Sequence, residues 1–306
     1  MISRMPRILG LAACAALAAA AGARASTVLF NGFASAGGQL TLHGDATTLA
    51  TGGGTVLSLT QGGGIQQQAG SAILASPFAL GQGGTFSAMF RFRITPDAGG
   101  PADGFTFVLQ QGAASSPQPG GNLGYYGTAH SLAIEFDTYD NGVAPLGQGG
   151  TNDYNDNHVG IDVNGQLNDL VSASPYGVGA SDAWACSGAR NPFGCMANGD
   201  VWTALIGYQS GKLSVAVGDG AAAPDLVISN YAIDIPRTIG THTPYLGFTG
   251  ADGGSTASQQ ILDVAATSGD SYAPPAPVPE PGSLALLGLG LAGLTAWRRR
   301  PAPIAG

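Results

Sequence analysis

Residues 134–162 read IEFDTYDNGVAPLGQGGTNDYNDNHVGID, two alternating segments that flank a loop rich in Asp, Asn and Gly. On an extended strand Glu135, Asp137 and Tyr139 point to the same face, because successive side chains alternate between the two faces. Two carboxylates buried side by side are costly unless a cation neutralises them. This stretch therefore predicts a β-strand that carries a cation site.

The loop and the segment after it supply further metal ligands. Asn141 adds an amide oxygen, and Asp153, Asp156 and His158 follow before the next alternating segment. Several oxygens suit Ca²⁺, whereas two or three carboxylates with one imidazole suit a transition ion such as Mn²⁺. The alternative is a solvated strand edge with Asx turns. The clustering of these side chains favours the metal.

Alternation with a period of two continues outward from this stretch. One predicted face of residues 86–94 carries Phe86, Ala88, Phe90, Phe92 and Ile94. Comparable segments cover residues 104–110, 132–139, 158–164, 201–208, 213–218, 245–250 and 260–267. No segment has a helical period, and residues 209–212 predict a hairpin turn. The pattern indicates an all-β fold, a β-sandwich or jelly roll, in one domain spanning residues 26–270.

Composition and charge exclude one class of partner. The chain has 50 Gly and, of its 19 acidic residues, only Glu135 and Glu280 are Glu. Six of the 11 basic residues lie in the terminal segments, which leaves the domain strongly acidic. Nucleic acids bind to basic patches on proteins, so we expect no nucleic acid partner.

The two ends of the chain carry export features. Arg4 and Arg7 precede an apolar run over residues 8–21, and the A-x-A pattern of residues 23–25 predicts a signal peptide, residues 1–25. The apolar run is too short for a membrane span, which needs about 20 residues. In the oxidising compartment beyond the membrane, Cys186 and Cys195 are expected to form a disulfide.

The C-terminal end has three parts. Residues 271–281 form a Pro-rich linker that ends in VPEP, and residues 282–306 hold an apolar stretch followed by Arg298, Arg299 and Arg300. This end resembles the PEP-CTERM sorting signal. The resemblance implies removal of the tail by an exosortase-type enzyme, transient inner-membrane anchoring, and then a cell-surface or extracellular location. A plain single-span anchor is the alternative.

The motifs of the domain resemble those of the legume (L-type) lectins, in the family's order. The metal-loop pattern E-F-D-T-Y-x-N is followed by N-H-V-G-I-D-V-N. Residues 102–107 (ADGFTF), 120–124 (GGNLG) and 246–249 (LGFT) match three further motifs. The resemblance covers residues 28–268. It implies the concanavalin A-like lectin fold, with Ca²⁺ and a transition metal such as Mn²⁺ beside a shallow sugar site.

The resemblance also implies roles for the metal ligands. Asp137 would bridge both ions, with Asp153 as the second bridging carboxylate and Asp156 as its alternative, because the loop is longer than in the plant proteins. Glu135 and His158 would bind the transition ion. Ca²⁺ would be bound by the carbonyl of Tyr139 and the side chain of Asn141.

The sugar site follows from the same resemblance. Asp103 would accept hydrogen bonds from sugar hydroxyls, after a cis peptide at Ala102. The backbone of Gly121 and the amide of Asn141 would donate, and the ring of Tyr139 would stack on the sugar. The specificity loop suggests Gly254 and Ser255 as further contacts. Gly165 departs from the family, which has Ser there.

Three function classes follow. We expect a secreted or cell-surface carbohydrate-binding protein without catalysis, whose partner is exopolysaccharide or a surface glycan and which can form a homodimer. A structural matrix sandwich without sugar binding is the first alternative. The second is an endo-glycanase with Glu135 as nucleophile, but Asp140 then lies at an odd spacing for the catalytic acid.

Overall fold

A computed structural model describes residues 26–142, 153, 155–173, 195–220 and 223–268 of the 306-residue chain. The predicted signal peptide, the C-terminal linker and sorting helix, and Cys186 lie outside these residues. The described strands are, in chain order, β1 (Thr27–Phe30), β2 (Leu40–Gly44), β3 (Thr47–Thr51), β4 (Gly54–Gln61), β5 (Ala69–Leu74), β6 (Phe86–Pro96), β7 (Gly104–Gln110), β8 (Ser131–Asp137), β9 (His158–Val163), β10 (Ser172–Ala173), β11 (Trp202–Gln209), β12 (Lys212–Asp219), β13 (Asp225–Ala232), β14 (Tyr245–Ala251) and β15 (Ala257–Ser268).

These strands form two antiparallel sheets. One has eight strands in the order β13-β12-β11-β6-β15-β4-β3, with β1 also paired to β15. The other has seven strands in the order β10-β9-β8-β7-β14-β5-β2. Neighbours in space are often distant in sequence, as with β6 beside β15, which is typical of a jelly roll rather than of successive hairpins. The predicted all-β jelly-roll sandwich is confirmed.

The core between the sheets is dominated by aromatic rings. The face predicted for residues 86–94 is buried: Phe90, Phe92 and Ile94 have no exposed surface. Rings of the facing sheet pack against them, with the Phe90 and Phe248 centroids 5.0 Å apart in an edge-to-face arrangement. Such pairs add to the stabilisation from apolar burial.

Strand β8 is buried on both of its faces. Phe136 points into the core and stacks on Phe105 with ring centroids 4.8 Å apart. Glu135 and Asp137, its neighbours in sequence, lie on the opposite face and are also buried. The same strand therefore holds the core together and positions two carboxylates.

The predicted segments omit the short helix and seven of the described strands: β1, β2, β3, β4, β5, β10 and β13. Strands β2 and β3 leave many side chains exposed, so hydrophobic alternation does not reveal them. A five-residue helix, α1 (Ile235–Ile239), is too short for a helical period. Its ends are set by local chemistry: the Asp234 side chain accepts from the backbone N–H of Arg237, and Gly240 adopts the left-handed conformation. The predicted hairpin is confirmed, with Gln209 paired to Lys212.

Cys195 is buried within the main core. Because Cys186 lies outside the described residues, its pairing with Cys195 stays a prediction. Among the residues that the structure describes, no helix has the length and apolarity to cross a membrane.

We predict that Phe136→Ala lowers the free energy of unfolding by about 3–5 kcal/mol, because it leaves a cavity beneath the stacked rings. Denaturant unfolding measures this change. Leu226→Ala is the control, since this side chain is 60% exposed and its removal should cost no more than about 0.5 kcal/mol. Equal losses in the two variants would contradict the assignment of Phe136 to the core.

Candidate functional site

The centre of the site is built by strands β8 and β9. Their antiparallel register pairs Asp137 with His158 and Glu135 with Gly160. Strand β7 runs on the other side of β8, and its first residue, Gly104, pairs with Asp137. Residues from three chain segments thus meet at one end of the seven-stranded sheet.

His158 is completely buried, and its ring has a defined orientation. Its Nδ1 lies 2.7 Å from the carbonyl oxygen of Asn155, to which it donates. Its Nε2 lies 3.0 Å from Oε1 of Glu135 and 3.3 Å from Oδ2 of Asp169. A carbonyl that fixes one ring nitrogen while the other faces carboxylates is the usual arrangement of a metal-binding histidine.

Two groups of potential ligands share this imidazole. One is Glu135, His158 and Asp169, and the other is Asp137, Asp153 and His158. Within each group one ligand atom per residue lies within 4.8 Å of the others. Asp153 is thus brought to the cluster, whereas Asp156 belongs to neither group.

The loop after β8 is folded back on the carboxylates. The backbone N–H of Tyr139 donates to Oδ1 of Asp137 over 2.7 Å, and that of Asn141 donates to Oδ2 of Asp153 over 2.5 Å. The side chain of Asn141 donates through Nδ2 to Oδ1 of Asp103 over 3.3 Å. Asn141 therefore links the carboxylate cluster to Asp103.

Asp103 is held rigidly beside the cluster. The peptide between Ala102 and Asp103 is cis, as the family resemblance implies. The backbone N–H of Asp103 donates to the carbonyl of Ala251 over 3.0 Å, and its carbonyl accepts from the N–H of Thr138 over 2.8 Å. The residue is 2% exposed, and its Oδ2 has no hydrogen-bond partner.

Glycines allow the backbone to approach these side chains. An ideal Cβ at Gly121 would lie 2.5 Å from Oδ1 of Asn141, and one at Gly253 would lie 3.1 Å from Oδ2 of Asp103. Gly254 and Ser255 follow in the same loop. The carbonyl of Gly254 accepts from Gln66, and the Ser255 hydroxyl donates to the carbonyl of Gly99 over 3.2 Å.

Tyr139 stands at the rim of the site. Its side chain remains 40% exposed although its backbone N–H is bound to Asp137. The ring is therefore available to a ligand while the main chain belongs to the cluster.

Burial makes the charged forms of these carboxyls costly. It raises the pKa of Asp103 and that of Asp153 to about 7. Burial, and then the charges of Asp162 and Asp169, raise the pKa of Glu135 well above its usual range. Burial and the charge of Asp153 do the same for the pKa of Asp137. Such concentrated negative charge needs a compensating cation.

Several buried oxygens in the cluster have no hydrogen-bond partner. They belong to Asp137 (Oδ2), Asn141 (Oδ1) and Asp169 (both oxygens). Buried polar atoms are nearly always satisfied, so unpaired oxygens that converge on one place fit metal ligation. The residues present therefore suit divalent cations.

Sequence reasoning missed Asp169 and Gly253. Asp169 lies eleven positions after His158, beyond β9, and no spacing rule connects the two. Gly253 precedes the two loop residues that were predicted, and only its proximity to Asp103 distinguishes it.

Two antiparallel sheets with this buried cluster at one end define a jelly-roll sandwich of the concanavalin A-like class. The family model for the legume lectin domain matches residues 25–276, and the chain belongs to that family. The PEP-CTERM protein-sorting motif matches residues 277–300.

Individual relatives agree with this assignment. A lectin-like protein of Arabidopsis thaliana is 27% identical over 192 residues, which are 58% of this chain and 64% of the relative. A seed lectin of Styphnolobium japonicum is 27% identical over 77% of this chain and 75% of its own length. The solved lectin of Bauhinia forficata, in complex with GalNAc, has a TM-score of 0.59 at 22% identity and covers 80% of this chain and 98% of its own.

We predict that the metal-free protein loses stability as the pH rises. Asp103 and Asp153 have a usual pKa of 3.8 and a folded-state pKa of about 7, so the folded protein binds more protons between these values. Below about pH 4 these two groups contribute on the order of a few kcal/mol to the free energy of unfolding. This contribution is lost as the pH rises to about 7. Urea unfolding at pH 5, 6, 7 and 8 after exhaustive chelation measures the slope.

The variant Asp153→Asn serves as the comparison for this slope. It removes one of the carboxyl groups whose pKa is raised in the folded protein, so its stability should fall less over the same pH range. A wild-type protein that becomes more stable from pH 5 to pH 8 without metal would contradict the prediction.

Proposed function

We propose that this protein is a metal-dependent carbohydrate-binding lectin without catalytic activity. The observation that carries the proposal is the link from the carboxylate cluster through Asn141 to Asp103. That link joins a candidate cation site to a fixed carboxylate with an unpaired oxygen, and Gly121 and Gly253 keep the surrounding space open. Carbohydrate sites need such fixed polar groups at the surface.

Ca²⁺ and a transition metal such as Mn²⁺ are the proposed ions. Asp137 and Asp153 would serve both, Glu135 and His158 would bind the transition ion, and Tyr139 and Asn141 would bind Ca²⁺ through the carbonyl and the amide oxygen. When bound, the ions would neutralise the carboxylates and hold the loop in place. Sugar binding would then cost less free energy, because the Asn141 side chain would already be ordered.

The sugar would be recognised by complementary groups of the chain itself. Asp103 would accept from two hydroxyls, while the backbone N–H of Gly121 and the amide of Asn141 would donate. The ring of Tyr139 would cover the apolar face of the sugar. Gly254 and Ser255 would line the edge of the site.

Catalysis by Glu135 is disfavoured by its burial. Its side chain is 4% exposed and faces His158, which disfavours contact with a glycosidic bond. Asp140, the other carboxylate of an E-x-D-x-x-D pattern, is exposed, and its Oδ1 accepts from the N–H of Gly142. A retaining pair needs two carboxyls about 5–5.5 Å apart on one cleft wall.

The sorting motif at residues 277–300 supports export of the protein. We propose that the protein is exported, is held transiently at the inner membrane by its tail, and is released to the cell surface by an exosortase-type enzyme. Exopolysaccharide or a surface glycan would then be its carbohydrate partner, and a homodimer would raise its avidity. A structural matrix protein without sugar binding is the competing proposal.

We predict that glycan binding requires both the metals and Asp103. On a glycan array the purified protein should bind with Ca²⁺ and Mn²⁺ and lose binding in EDTA. Asp103→Asn should weaken the affinity about 100-fold or more, because hydrogen bonds to a charged group contribute about 1.5–3 kcal/mol each. Asp225→Asn, an exposed carboxylate on β13, is the matched control and should bind like the wild type.

The alternatives give different results in the same assay. Folded protein that binds no glycan under any condition would favour the structural matrix protein. Release of reducing ends from the glycan, abolished by Glu135→Gln, would favour the glycanase.

We predict that the backbone carbonyl of Tyr139 contributes to Ca²⁺ binding and its ring to sugar affinity, and that the two contributions can be measured separately. Tyr139→Phe should retain the affinity, whereas Tyr139→Ala should lower sugar affinity about tenfold through lost ring packing. Both variants should keep Ca²⁺ binding, because a carbonyl is present in each. Titration calorimetry with sugar and with Ca²⁺ separates the two effects, and loss of Ca²⁺ in both variants would refute the separation.

A further inference from the structure

A loop after β9 brings one more carboxylate to the metal cluster. Asp162, the fifth residue of β9, accepts through Oδ1 from the backbone N–H groups of Asn168 and Asp169 over 2.9 and 3.0 Å. The N–H of Leu170 then donates to the carbonyl of Ile161 over 2.9 Å. These bonds fold the loop back along β9, so that Asp169 faces His158.

Asp169 is held in an uncommon backbone conformation beside the ring of His158. Its φ of 47° lies in the left-handed region, which non-glycine residues seldom adopt. The side chain is only 5% exposed, and neither carboxylate oxygen has a hydrogen-bond partner. Its Oδ2 lies 3.3 Å from Nε2 of His158, the nitrogen that faces the cluster.

Gly160 leaves space for this carboxylate. An ideal Cβ at Gly160 would lie 2.0 Å from Oδ1 of Asp169 and 2.4 Å from Oε1 of Glu135, so the two carboxylates meet above this glycine. Gly165 has a φ of +70°, and a Cβ there would lie 2.2 Å from the backbone nitrogen of Thr128. A side chain at position 165 would therefore collide with the backbone of the Gly127–Thr128 segment.

We propose that Asp169 is an additional protein ligand of the transition-metal site, beside Glu135, Asp137, Asp153 and His158. The inference rests on the proposed metal binding and adds a carboxylate that the family resemblance does not assign. Removal of the Asp169 carboxylate would then leave a coordination position open to water.

The types of donor atom support this assignment. Four carboxylates and one imidazole form a donor set dominated by oxygen, which suits Mn²⁺ better than a softer ion such as Zn²⁺. Asp169 would therefore contribute to the choice of metal as well as to its retention.

The test measures Mn²⁺ affinity and the number of bound waters in the wild type, Asp169→Ala, Asp169→Asn and the control Asp225→Asn. Free Mn²⁺ observed by EPR gives the affinity, and line broadening of bound Mn²⁺ in ¹⁷O-enriched water gives the water ligands. We expect Asp169→Ala to bind Mn²⁺ roughly 10–100-fold more weakly and to gain a water ligand. Asp169→Asn keeps the size of the side chain and should also lose affinity.

The outcomes separate this inference from the proposed function. A wild type that binds no Mn²⁺ overturns the metal site and Asp169 with it. A wild type that binds while both Asp169 variants bind equally well overturns the role of Asp169 alone. Weaker binding without an additional water also overturns it, because Asp169 would then only position His158. Thermal melting of the metal-free variants verifies that each is folded.

Discussion

The structure depends on the burial of adjacent carboxylates on one strand. Phe136 anchors β8 in the aromatic core, and this packing forces Glu135 and Asp137 onto the other face, where strand β9 and two loops exclude water. Charges in such a place are tolerated only when cations or protons neutralise them. The core and the candidate metal site therefore both follow from the alternation of β8 side chains between the two faces of the sheet.

The cluster also organises the surface beside it. Asn141 is tied by its backbone to Asp153 and by its side chain to Asp103, so it connects the candidate cation site with the candidate sugar site. Asp103 is fixed by bonds from both neighbouring strands. A shallow site gains affinity from such preorganisation, because binding then does not have to order its own contacts.

Strands and turns could be predicted where the sequence shows hydrophobic alternation or characteristic turn residues. The alternation over residues 86–94 identified the buried face of β6, and the turn at Ser210 and Gly211 identified a hairpin. The exposed strands β2 and β3 gave no alternation, since a side chain in solvent is not selected for hydrophobicity. The helix α1 depends on its caps, so periodicity could not reveal it.

The sequence by itself determined the sandwich class, the family motifs and most of the candidate ligands, because strand periodicity and motif order are local properties of the chain. Only the tertiary structure brings Asp153 to Asp137 and His158, and Asp169 to the same imidazole. These positions depend on how loops of irregular conformation fold back onto β8 and β9. Spacing along the chain does not encode the distance between atoms that such loops bring together.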